Sequence, residues 1–235
     1  MFFEFFVYLQ QIYKIIIIKT NNMNKNEKFV ITINRELGSG GRTIGEKLAK
    51  KLGVPFYDKA VINALKEEYH LNANEIEALK GRKHDWWSEF KRNLSAGLFT
   101  SQSQYYQLPV GDEPDLLTTD EMFETEKDII KGIANAESCV IAGRSGFYVL
   151  RDHPNHISIL IQAPMERRIA RVMAKQGMNY EEAEKTIKKI DKMRENYVQK
   201  YTKTSRYDTR NYDLVITIDE RNEDEFVDLI LAYLK

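Results

Sequence analysis

Residues 29–43 read FVITINRELGSGGRT, and the order of residue types in this stretch decides the fold. The first five are β-branched or aromatic and apolar without alternation, the look of a strand buried on both faces. Gly38, Gly40 and Gly41 follow around Ser39, and then Ile44, Leu48 and Leu52 recur at helical spacing up to Gly53, which stops the helix. A strand, a glycine turn and a helix start in that order have a known use. Glycines let the backbone curl around an anion and aim N–H groups at it, and the helix N-terminus adds a partial positive charge. A tight turn with no ligand is the bland alternative. Three glycines in four residues followed by Arg42 favour phosphate.

Outward from this stretch the alternation continues. Residues 54–57, 138–142 (SCVIA), 156–162 (HISILIQ) and 212–218 (YDLVITI) read as further strands. Helices are expected at 58–69, 74–94 and 119–137, from Pro164 to 176, from an Asn179 cap to about 203, and at 223–234. Residues 95–117, rich in Ser, Gln, Gly and Pro with Phe99, Tyr105 and Tyr106 among them, read as a long functional loop. Strands alternating with helices predict a mostly parallel sheet covered on both faces, with ligands bound beyond the carboxyl ends of the strands.

The glycine turn departs from the usual phosphate-loop pattern, Gly-x-x-x-x-Gly-Lys-Ser/Thr. With Gly40 as the second glycine, Arg35 falls on the first, Gly41 on the lysine and Arg42 on the hydroxyl residue. Arg42 is one position from supplying the lysine charge, and Thr43 one position from the hydroxyl that meets Mg²⁺. A second candidate is Gly143-Arg144-Ser145-Gly146, where an arginine at a strand's end can grip a phosphate in a fork. A third is the cationic set on the later helices. Arg167, Arg168 and Arg171 share a face, while Asp191 and Arg194 lie three apart on the next helix. A solvated salt-bridged surface is the competing account of this set.

Composition narrows the class. The 235 residues are 43% hydrophobic, enough for one sizeable core. Thirty-five basic residues balance 35 acidic ones, which argues against a general nucleic-acid binder. The single Cys139 excludes a disulfide framework and fits a reducing cytoplasm, and it reads as a small buried hydrophobe. His70, His84, His153 and His156 have no metal-ligand spacing. Residues 1–28 read as an extension to the domain at 29–235. The run 1–19 is apolar but broken by Glu4, Gln10, Gln11 and Lys14, so it suits neither a spanning helix nor a signal peptide. It reads as an amphipathic appendage, or as residues ahead of a start at Met23, and no membrane partner is expected.

With these residues assembled, the chain resembles the cytidylate kinase-like family of nucleoside monophosphate kinase relatives. The likeness runs from Phe29 to Asp219 and rests on five blocks in order: ITINRELGSGGRTIGEKLAKKLGVPFYDK, CVIAGRSGFYVL, APMERRIARVM, IDKMRENYVQKYT and YDLVITID. The resemblance implies a three-layer α/β/α P-loop nucleoside kinase-like fold with a five-stranded parallel sheet, a substrate arm at 59–117 and a lid within 167–203. It implies transfer of a phosphoryl group from ATP, with Mg²⁺, to a nucleoside monophosphate or a similar small phosphorylated acceptor. Gly38, Ser39, Gly40, Gly41, Arg42 and Thr43 would then hold the ATP phosphates, with Thr43 toward Mg²⁺. Asp58, Arg144 and Ser145 would lie at the acceptor. Arg167 and Arg171 would be lid arginines, and Asp191 and Arg194 the Asp-x-x-Arg pair. The family's Gly-Arg-Asp reads Gly143-Arg144-Ser145 here, so specificity for a cytosine base is not implied. The missing lysine keeps a second reading open, a nucleotide-binding regulatory protein with little or no transfer activity.

Overall fold

The computed structural model describes residues 15–17, 23–58 and 120–234. The expected helices at 58–69 and 74–94, the loop at 95–117 and the substrate arm lie outside the described residues, apart from Asp58. The described residues form a six-stranded sheet in the order β1-β6-β5-β2-β4-β3. Five strands are parallel: β2 (Val30–Arg35), β3 (Phe56–Tyr57), β4 (Cys139–Ala142), β5 (His156–Gln162) and β6 (Leu214–Thr217). The sequence reading did not contain β1 (Ile15–Ile17), which pairs antiparallel with β6, Ile16 opposite Val215. This part of the N-terminal extension is therefore an edge strand.

Strand β2 sits at the centre, with Ile33 opposite both Ala142 of β4 and Ile159 of β5. Its period-two alternation feeds two cores. Ile31 and Ile33 pack with Ile44 and Leu48 of α1 (Gly41–Leu52) and with Phe226 and Ile230 of α6 (Glu223–Tyr233). Val30 points the other way, to Ile129, Ile130 and Ile133 of α2 (Asp120–Ala136). The same side holds the short α3 (Gly146–Val149) and the long α5 (Tyr180–Thr202), whose Val198 packs with Phe147, Leu160, Tyr212 and Val215. Helices on both faces of the sheet make the three-layer α/β/α arrangement.

The helix ends follow local chemistry. α1 stops at Gly53, in the left-handed region at φ 68°, and α4 (Met165–Gln176) stops at Gly177, φ 67°. Asn179 and Glu182 form a reciprocal capping box at the start of α5, and Asn222 and Glu225 do the same for α6. α4 and α5 close on each other through Ile169, Val172, Ala183 and Ile187. No helix among the described residues is long and apolar enough to cross a membrane.

Candidate active site

The sheet order reverses at β2. Its successor β3 lies on one side and β5 and β6 on the other, so the carboxyl end of β2 opens onto the crevice where such sheets bind ligands. The glycine turn stands there. Gly38 (φ 81°) and Gly40 (φ 83°) both adopt left-handed backbone, and Gly40 caps α1 without a side chain. Ser39 is buried; its hydroxyl donates to the Glu36 carbonyl at 2.9 Å and accepts from the Gly41 N–H at 3.3 Å. The turn is thus braced from inside, and the first turn of α1 faces the crevice with its positive end.

Helix α4 presses on this turn. A Cβ on Gly38 would lie 2.7 Å from the Arg168 carbonyl oxygen, which excludes any other residue there. Arg168 is 5% exposed and acts as a clamp. Its Nε donates to the Leu37 carbonyl at 2.8 Å, Nη1 lies 3.3 Å from Glu36, and Nη2 pairs with Asp191 of α5. Asp191 in turn accepts from the Leu37 N–H at 3.1 Å. Burial raises the Glu36 pKa above its usual value, against the lowering effects of the Ala163 N–H bond and the Arg168 charge.

Arg171, one turn further along α4, lies over the opening of the turn. Its guanidinium donates to the Thr43 hydroxyl at 3.2 Å and pairs with Glu223 at 2.6 Å. A Cβ on Gly40 would meet this guanidinium at 3.4 Å. Arg194 of α5 donates to the Arg35 carbonyl at 3.3 Å and stands 3.7 Å from Asp191. Its pKa is pulled down by burial first, then by the charges of Arg35 and Arg206, with Asp191 opposing. Arg206, 1% exposed, bonds to Asn34 Oδ1 at 3.2 Å and to the Arg35 carbonyl. Cations therefore crowd around the end of β2, an environment suited to a polyanion.

Of the residues expected from the sequence, Gly38, Ser39, Gly40, Gly41, Thr43, Arg171, Asp191 and Arg194 meet around this turn. Arg42 points away from it, to Asp58 at 2.8 Å and Glu46 at 3.0 Å. Arg167 also turns aside and donates to the Arg221 carbonyl at 3.2 Å, beside the start of α6. Arg144 and Ser145 both hold left-handed backbone after β4. The Arg144 guanidinium pairs with Glu126 of α2 and lies 5.5 Å from the Tyr197 ring centre; Tyr197 donates to Glu126 at 2.8 Å. Ser145 is buried, and its hydroxyl has no hydrogen-bond partner among the described residues.

Sequence reasoning gave no role to Glu36, although it lies in the glycine-turn stretch, and missed Glu126, Arg206 and Glu223. It also singled out Arg167 and Arg171 where Arg168 carries the clamp. The spacing signal named all three arginines as one face, so Arg168 was within its reach.

Among the described residues the donors do not build a dedicated, protein-held Mg²⁺ site. The Thr43 hydroxyl accepts a bond from a cation, and among the described residues no group of three or more His, Cys, Asp or Glu could hold a metal.

Residues 30–220 match the model of the cytidylate kinase-like family. The solved structure of an uncharacterized protein from Eubacterium ventriosum is 27% identical over 88% of this chain and 98% of that one, with a TM-score of 0.63. A shikimate kinase from Bacteroides thetaiotaomicron is 16% identical over 88% and 98% of the two chains, TM-score 0.46. A gluconokinase from Sinorhizobium meliloti is 18% identical over 88% and 93%, TM-score 0.42. No curated protein matches the sequence.

Proposed function

The chain belongs to the cytidylate kinase-like family, and from that premise we propose that it transfers a phosphoryl group from ATP to a nucleoside monophosphate or a similar small phosphorylated acceptor. One observation carries the reading. The left-handed glycine turn at the start of α1 lies at the sheet's switch point, with the Arg171 guanidinium over Gly40 and Thr43. Such a transfer asks the protein for positioning and positive charge around the moving group. The bond from the γ-phosphorus to its bridging oxygen breaks, ADP leaves with the electron pair, and the phosphorus bonds to an acceptor oxygen. A phosphate acceptor is already ionised, so no general base is required.

The Gly38–Thr43 backbone would cradle the ATP phosphates, and Arg171 and Arg194 would balance their charge. Arg144 and Ser145, with Asp58 and its partner Arg42, line the β3 and β4 side, where the acceptor would sit. Magnesium is read as arriving with ATP, bound to its phosphates, because the described residues do not fit a dedicated site.

The second reading, a regulatory nucleotide binder without transfer, draws on the glycine at the lysine position and on the carboxylates already beside Arg42, Arg168 and Arg171. The test is incubation with ATP–Mg²⁺ and a panel of nucleoside monophosphates, followed by the ADP formed. Acceptor-dependent ADP supports transfer. A nucleotide-induced rise in melting temperature with no ADP for any acceptor supports the binder.

A further inference from the structure

Two departures from the phosphate-loop pattern, Arg35 at the first glycine and Gly41 at the lysine, are one structural change. A Cβ on Gly41 would lie 2.6 Å from the Arg35 Cβ and 3.2 Å from its Cγ. The stem of Arg35 therefore occupies the volume from which a side chain at 41 would start. Gly41 has no left-handed backbone to explain it; the Arg35 stem is the nearest obstacle to a side chain there, with Ile161 Cβ behind it at 3.3 Å.

The guanidinium continues across the crevice. A Cβ on Gly143 would run into Arg35 Nη1 and lie 3.3 Å from its Cζ. Gly143 follows β4, and its N–H donates to the Ile33 carbonyl at 3.0 Å, which ties the ends of β2 and β4 together. The half-buried Arg35 thus spans from the glycine turn to the Gly143-Arg144-Ser145 turn, between the two regions that would hold donor and acceptor.

We propose that Arg35 is the phosphate-binding cation of this site, with the lysine's charge moved from the start of the helix to the end of the preceding strand. The proposal rests on the kinase reading above. The ligand class is a nucleoside triphosphate, gripped at its β- and γ-phosphates. A guanidinium can hold two oxygens at once where an ammonium is a point charge. It balances charge on the bridging oxygen as that oxygen leaves, and gives up no proton. Anchoring on a central strand fixes its position before the nucleotide arrives.

The test is a charge swap within the full chain. Four proteins are compared with wild type: Arg35→Gln, Arg35→Gly, Gly41→Lys, and Arg35→Gly combined with Gly41→Lys. Readouts are MgATP-induced melting shift, ADP formation with the best acceptor, and the melting temperature without nucleotide. Arg35→Gln and Arg35→Gly should lower kcat/KM for ATP by about a hundredfold or more. Gly41→Lys alone should lose activity as well, because Arg35 fills its space. The double variant should recover at least about tenfold over either of its single variants, since removal of the arginine makes room for the lysine. A purely structural arginine would not be rescued by a cation six residues on. Wild-type ATP kinetics in Arg35→Gln, or a double variant no better than its parents, would overturn the Arg35 assignment and leave the kinase reading standing. A wild-type protein with neither an MgATP shift nor ADP formation would instead sink the kinase reading, and Arg35 with it.

Discussion

The Nε of Arg168 lies 2.8 Å from the carbonyl oxygen of Leu37, so a helix 131 residues further along the chain holds the turn that would cradle phosphate. The same guanidinium meets Glu36 and Asp191. Removing a buried charge from such a set leaves its partners uncompensated and typically costs about 3–5 kcal/mol. Arg168→Met should lower the urea midpoint accordingly, and Arg168→Lys should recover only part, because a point charge cannot serve a carbonyl and two carboxylates in fixed directions. An unchanged midpoint in Arg168→Met would show that the clamp contributes nothing to stability.

Gly40 has φ 83° and faces the Arg171 guanidinium. Gly40→Val should abolish the rise in melting temperature that ATP produces, because a branched side chain bars the backbone from the anion. The nucleotide-free protein should lose about 1–2 kcal/mol from the strained conformation. A full ATP-induced shift in this variant would argue against phosphate at the turn.

Arg42 is bound to Asp58, whose side chain is 2% exposed, and to Glu46. The sequence suggested a phosphate partner; the geometry suggests a brace between α1 and the end of β3. Arg42→Ala should therefore destabilise by about 1–3 kcal/mol through the carboxylate it abandons. The ATP-induced melting shift should stay close to wild type. Loss of that shift with an unchanged urea midpoint would return Arg42 to the phosphates.

Arg144 pairs with the buried Glu126. Arg144→Lys keeps a positive partner for that carboxylate but loses the fork, so it separates acceptor recognition from folding. The expected result is a fall of about a hundredfold in kcat/KM for the acceptor, with the KM for ATP nearly unchanged. Equal acceptor kinetics in the two proteins would make Arg144 a residue of the turn alone.

Burial pushes the Cys139 thiol up to about 12, with a small further rise from the Glu137 charge. At pH 8 only about one thiol in ten thousand is then thiolate. Iodoacetamide should leave the native protein unmodified over hours and label it in 6 M guanidinium. Rapid native labelling, read by mass spectrometry, would contradict the buried position in β4.

Most of the fold was legible because the parallel strands are short unbroken apolar runs and the helices carry their own stop signals. β5 spans residues 156–162 as expected, and the Asn179 cap and the Gly53 and Gly177 stops stand where read. Other features had no local signal. α3 is a single turn launched from left-handed Arg144 and Ser145, too short for a periodic pattern. β1 exists through pairing with a strand near the other end of the chain. The glycine turn was legible from composition, but the roles of its arginines were not. Arg168 rather than Arg167 reaches the turn because Ile169 and Val172 seat α4 on Ala183 and Ile187, and that contact sets the roll of the helix. Arg206 lies after the last turn of α5 and joins the site only through the fold.

Strand β1 has a consequence for the edge of the sheet. Without it, β6 would end the sheet with a row of open backbone donors and acceptors, a template on which a neighbouring molecule's strand could add. β1 occupies that row along Leu214–Ile216 and runs against the direction of the other strands. Among the described residues the border that β1 itself offers is three residues long, and a short edge strand is a weak template for another. Residues 15–17 thus serve as a selvedge: they finish the weave along Leu214–Ile216 and leave those backbone groups paired.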